Sequence, residues 1–140
     1  MSTLILSLLL AHTVAPVAEH SCIHRTVLPE YPPLARMARI TGTVNLDVEI
    51  GSDGMVLSAK ASSGHPLLVR AAEKSILEWS FYVPSAMKHF PIHQTMVFIY
   101  KIEGEETYSE FCPTVTLRPP NLVEIVIPPA QPETNTSDHR

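Results

Sequence analysis

The period of the sequence changes at Gly42, and this limits the fold more than any other feature. From Thr43 onward, Val44, Leu46, Val48 and Ile50 alternate strictly with Thr43, Asn45, Asp47 and Glu49. A period of two sends these sets to opposite faces of a strand, one buried and one wet. Gly51-Ser52-Asp53-Gly54 then provides a turn whose glycines are free to take positive φ. In the return, Met55, Leu57, Ala59 and Ala61 alternate with Val56, Ser58, Lys60 and Ser62. The pattern predicts a β-hairpin over residues 43–62 with one apolar face.

Helical patterns flank the hairpin and can cover that face. Pro32 and Pro33 suit the first turn of a helix, where their missing N–H groups cost nothing. Leu34, Ala35, Met37, Ala38 and Ile40 supply its apolar side, Arg36 and Arg39 lie outside, and Thr41-Gly42 end it. After the hairpin, Ser62 or Ser63 is the expected cap of a second helix. This helix spans residues 67–80, with Leu68, Ala72, Ile76 and Trp79 on one face and Arg70, Glu73, Lys74 and Glu78 across much of the rest. Beyond a proline-broken link, residues 93–103 read as a third strand. Met96, Phe98, Tyr100 and Ile102 alternate there with Val97, Ile99, Lys101 and Glu103, and Gly104 ends it.

Connectivity then predicts an α+β fold, a three-stranded antiparallel sheet of order 2-1-3 with both helices on one face. Its third strand is an edge unless something covers it. Thr114–Leu117 and Leu122–Ile127 are strand-like runs separated by Arg118-Pro119-Pro120-Asn121, an extra C-terminal hairpin. Folding back, this hairpin would cover the third strand's edge. The domain reading is 22–104 for the folded unit, 105–127 for an extension and 128–140 for a polar, proline-containing disordered tail.

At the other end, Leu4–Ala11 is an apolar run of signal-peptide length, short of the ~20 residues that span a bilayer. Residues 1–18 are therefore read as a signal peptide or short membrane anchor of an exported chain, although residues 1–3 carry no Lys or Arg. The cysteines, Cys22 and Cys112, bracket the patterned region. In an exported chain they are expected to pair, closing a ring of about 90 residues and stabilising the fold by ~4 kcal/mol. Two unpaired thiols are the alternative. The net charge is −4 and the ten Lys and Arg are dispersed, so no basic stripe exists to follow a nucleic-acid backbone.

No reactive constellation stands out. His20 and His24 are four apart, as are His89 and His93, but Cys22 lies within the first pair and Pro91 interrupts the second. No third ligand follows, so neither a metal nor a cofactor is expected. Ser63 near His65 lacks an orienting partner, and a nucleophile needs a base and an orienter brought together. Trp79 and Phe81 read as core anchors. Asn135-Thr136-Ser137 fits a glycosylation pattern by chance, in a flexible tail. The chain is not expected to be an enzyme.

Several elements occur in a telling order: Pro29-x-Tyr31-Pro32 with Ala35, Gly42-x-Val44, Gly54, Ser63-Gly64 with Leu68 and Ala71-Ala72, then Trp79-x-Phe81 with Pro84. In this order and spacing, residues 29–103 resemble the C-terminal domain of the TonB family of energy transducers. The resemblance implies a periplasmic, non-catalytic domain that binds an extended segment near the N-terminus of an outer-membrane TonB-dependent receptor. The segment adds as a strand beside the domain's last strand, here Gln94, Thr95, Met96, Val97, Phe98, Ile99, Tyr100, Lys101 and Ile102. An inner-membrane proton-channel complex would drive the transport. The full membrane helix and long proline-rich spacer of such transducers have no counterpart in the sequence. A second reading is a structural or assembly domain of the envelope that self-associates, as a homodimer, through the same edge.

Overall fold

The computed structural model describes residues 22–104 and 114–130. Its elements in chain order are β1 (Cys22–Arg25), α1 (Pro33–Met37), β2 (Gly42–Ile50), β3 (Val56–Ser63), α2 (Pro66–Ile76), β4 (Ser80–Tyr82), β5 (Ile92–Ile102), β6 (Thr114–Arg118) and β7 (Leu122–Ile127). The alternation in β2 does what its period requires: Val44, Leu46, Val48 and Ile50 are buried. Met96, Phe98 and Tyr100 of β5 join them on the same side. The opposite face is polar and cross-linked, with Thr95 Oγ1 donating to Asp47 Oδ1 at 3.2 Å and Asn45 Nδ2 to Ser63 Oγ at 2.7 Å.

The sheet has five strands, in the order β3-β2-β5-β7-β6, so the expected three-stranded sheet is corrected. Side chains on β7 explain the difference. Val123, Ile125 and Ile127 alternate and are fully buried, so this strand shares the core of the others. It lies parallel to β5, from Val97 opposite Leu122 to Ile102 opposite Ile127. Its hairpin partner β6 returns antiparallel on the outside.

Three local expectations also change. Leu57 is exposed, because a register shift between Glu49 and Ile50 pairs Ser58 with Glu49 but Val56 with Ile50. The extra residue turns Leu57 outward and brings Val56 to the core, as a β-bulge does. Helix α1 buries Ala35 alone; Leu34 and Met37 are 66% and 73% exposed, since five residues are too few to present a broad face. The cap of α2 is His65, whose Nδ1 accepts from Leu67 N–H at 3.3 Å, while Ser62 and Ser63 stay committed to Asn45.

Trp79 organises the core beneath α2. It lies just past the helix with its ring 5.8 Å from that of Phe98 and 6.4 Å from that of Phe81. Its Nε1 donates to the carbonyl of Val27 at 2.9 Å, and Ser75 Oγ donates to the same oxygen at 2.7 Å. The chain after β1 is thus tied to α2. Helix α2 ends at Ile76, short of the expected residue 80, and residues 80–82 pair instead as β4 with β1 in a separate two-stranded sheet. The hairpin tip docks there too: Phe81 N–H donates to Gly54 O at 2.8 Å. Gly54 has φ +80°, and a Cβ there would stand 2.0 Å from Phe81 O, so this contact admits only glycine.

The segment 1–18 and Cys112 lie outside the described residues; Cys22 is exposed. Pro128 and Pro129, assigned to the tail, are held instead: Arg36 Nε and Nη2 donate to their carbonyls at 3.2 Å each. Among the described residues no helix is long and apolar enough to cross a membrane.

Candidate functional site: the outer edges of the sheet

The nine residues expected to offer a binding edge, Gln94 to Ile102, all lie in β5. One side of β5 pairs with β2 along Ile92–Tyr100, as hairpin connectivity requires. The other side is occupied by the chain itself. Strand β7 pairs with Val97, Phe98, Ile99, Tyr100, Lys101 and Ile102, and the contact continues past both ends. Val97 N–H donates to Asn121 O at 2.8 Å and Glu103 N–H to Ile127 O at 2.9 Å. The Asn121 amide donates to Thr95 O at 2.9 Å, and Gln94 Nε2 reaches Pro120 O at 3.5 Å. Met96, Phe98 and Tyr100 point into the core, where their side chains cannot meet a ligand without unfolding.

On the other face, the junction of β5, β7 and β6 carries charge. Glu124, its side chain 14% exposed, lies between Lys101 and Arg118, the Arg118 Nη2 being 3.4 Å away. A hydrogen bond from Lys101 holds the Glu124 carboxyl below its ordinary 4.5. That same bond holds the Lys101 ammonium above its ordinary 10.5. The pairing stitches β7 to β5 by side chains as well as backbone. Sequence reasoning had placed Lys101 on a strand face without a partner. The signal was the alternation Val123, Ile125, Ile127 with a lone acid between, in a strand otherwise apolar.

With β5 enclosed, the sheet ends at β3 and β6. Helix α2 guards β3: Ala61 N–H donates to the Glu73 carboxylate at 3.0 Å. Beside β6 an apolar cleft of about 460 Å³ opens between Cys22, Ile23, His24 and Thr26 on one side and Leu117, Pro119 and Pro120 on the other. The histidines do not converge. His93 Nδ1 is 3.8 Å from Glu49, and His24 Nδ1 is 3.3 Å from Ser80 Oγ. Among the described residues no group of three or more His, Cys, Asp or Glu could hold a metal ion.

The family model described as Gram-negative bacterial TonB protein C-terminal matches residues 27–102, slightly more than half the chain. No curated protein matches it. The matched span ends at the last residue of β5, so β6 and β7 fall beyond it.

Proposed function

Because the chain belongs to the TonB C-terminal family, whose domain is a non-catalytic, periplasmic part of envelope energy transduction, we propose that it binds an extended N-terminal segment of an outer-membrane TonB-dependent receptor by strand addition. The proposed position is β5, Gln94–Ile102, and an inner-membrane proton-channel complex is the proposed source of work. Residues 1–18 would export or anchor the chain, and Cys22 with Cys112 would form its disulfide.

One observation carries the site. The outer side of β5 accepts an extended segment lying parallel to it, with alternate side chains entering the core, because β7 does so. The receptor segment therefore enters by exchange with β7. It must replace three buried aliphatic side chains, each worth ~1.5–3 kcal/mol, and compete with a tethered strand whose effective concentration is on the order of mM. A segment with apolar residues at alternate positions and an acid facing Lys101 meets both demands.

The test is an amide NMR titration of the full chain with peptides from receptor N-termini. The expected result is perturbation of Gln94–Ile102 together with loss of exchange protection over Leu122–Ile127. Binding that leaves 122–127 protected would reject the exchange site. Absence of binding at mM peptide would reject the receptor reading. The occupied edge of β5 also favours the assembly reading, with its contact displaced from β5 to whichever edge remains open.

A further inference from the structure

Strand β7, which covers β5, is fastened unequally along its length. Near its start, Asn121 is held twice: its carbonyl accepts from Val97 N–H at 2.8 Å and its amide donates to Thr95 O at 2.9 Å. The turn from β6 enters there as well, with Leu122 opposite Arg118. At the other end, the pairing with β6 stops at Val126, opposite Thr114. Among the described residues Ile127 therefore has β5 on one side and no residue of β6 on the other. Its carbonyl takes the last ladder bond, from Glu103 N–H at 2.9 Å. Pro128 and Pro129 follow, and proline has no N–H to carry a ladder further.

Their carbonyls remain, and Arg36 takes both. Its Nε and Nη2 donate to Pro128 O and Pro129 O at 3.2 Å each, the fork of one guanidinium spanning two successive acceptors. Helix α1 sets the position of that fork. Just before the helix, Tyr31 packs edge to face on Tyr100, the residue of β5 that lies opposite Ile125 of β7. Just after it, Ile40 O accepts from Tyr31 Oη, so both flanks of α1 are fixed over the later half of β5. The helix itself buries Ala35 alone and adds little to the core. What it delivers is a half-buried guanidinium just past the end of β7. A strand peels from its least fastened end, and a local opening costs only the contacts broken within it. Arg36 adds two hydrogen bonds from a charged donor at that end, beyond the last ladder bond.

We propose that Arg36 is the latch of an autoinhibitory contact: by gripping Pro128 and Pro129 it keeps β7 on β5, and loss of that grip uncovers β5 from Ile102 back toward Val97. The latch is a property of the free chain. Its consequence, that Arg36 sets how readily a partner segment reaches β5, rests on the receptor reading above. Arg36 lies within the span matched by the family and the prolines it holds lie beyond that span, so the latch joins the family domain to the strands that follow it.

The test is native-state amide exchange of the full chain, wild type against two variants. Arg36→Met keeps the aliphatic stem and removes the donors; Arg36→Lys offers one ammonium in place of the fork. Glu103 N–H reports the latched end of β7 and Val97 N–H the turn end. Phe81 N–H, bonded to Gly54 O at the hairpin tip, reports the rest of the fold. In Arg36→Met, Glu103 should exchange at least about tenfold faster, with Val97 and Phe81 within about threefold of wild type. Arg36→Lys should fall between. Unchanged Glu103 exchange in Arg36→Met would overturn the proposal. So would equal acceleration at all three amides, which is loss of global stability and not of a latch. Titration with receptor peptides then separates the latch from the receptor reading. Arg36→Met should bind them at lower concentration than wild type, and equal affinity in the two chains would overturn the autoinhibition. If neither chain binds at mM peptide while Glu103 still responds, the receptor reading fails and the latch stands.

Discussion

Tyr100 and Tyr31 pack edge to face, ring centroids 5.3 Å apart, yet their hydroxyls fare differently. Tyr31 Oη donates to Ile40 O at 2.6 Å and pins the exit of α1 against the core. Tyr100 Oη is buried with no hydrogen-bond partner among the described residues. Burial raises its pKa far above the ordinary 10.0, with the neighbouring Tyr31 adding to the shift. An unmet buried donor costs ~1–3 kcal/mol, while a typical satisfied one contributes ~0.5–1.5 kcal/mol. Tyr100→Phe should therefore stabilise the fold by about 1 kcal/mol and Tyr31→Phe destabilise it by about the same amount. Denaturant midpoints of the two variants should move in opposite directions from wild type. At this scale the alternation told which side Tyr100 faces; it carried no information on whether the hydroxyl would find an acceptor.

At the scale of elements, the docking of β7 on β5 combines a parallel ladder, three buried aliphatics and the Lys101–Glu124–Arg118 cluster. The folded pKa of Glu124 is depressed, so its contribution is present above 4.5 and is lost as pH falls through the lower folded value. That of Lys101 is raised, so its contribution is present below 10.5 and is lost as pH rises through the higher folded value. Hydrogen-exchange protection of Val97–Ile102 should be flat between these limits and decline beyond each. In Lys101→Met the alkaline decline should vanish and the acid one shrink, because Arg118 still faces Glu124. An unchanged profile in that variant would mean that the backbone ladder and the apolar side chains alone hold the strand. The hairpin β6–β7 was legible as two strand-like runs around a proline turn. Its destination, the edge of β5, was expected from the need to cover that edge, but the parallel register and the burial of Val123, Ile125 and Ile127 in the shared core were not.

For the whole molecule, the family span and the folded unit do not coincide. The matched residues end at Ile102, but Val123, Ile125 and Ile127 complete the core and Arg36 of α1 holds the chain just after β7. Removing three fully buried aliphatics forfeits about 5–9 kcal/mol, comparable with the ~5–15 kcal/mol total stability of an ordinary domain. Truncation after Gly104 should therefore leave a chain without a cooperative unfolding transition by calorimetry or guanidinium titration. A truncated chain with the full-length midpoint would show instead that residues 22–104 suffice.

The sequence by itself determined the parts set by local periodicity and turn chemistry. These are the β2–β3 hairpin, the apolar face of α2 formed by Leu68, Ala72 and Ile76, and the buried side of β5. Each depends on residues a few positions apart, so the spacing carries the answer. Tertiary structure decided what spacing cannot encode. A bulge of one residue reversed Leu57, and His65 took the cap while Ser62 and Ser63 bonded to Asn45. The edge at β5, open on the local pattern, was filled by a strand that follows it by some twenty residues. Unpaired backbone groups and an unfilled core are satisfied by whichever segment reaches them first at least cost. Here that segment was the chain's own, so among the described residues the sheet ends at β6 and not at β5.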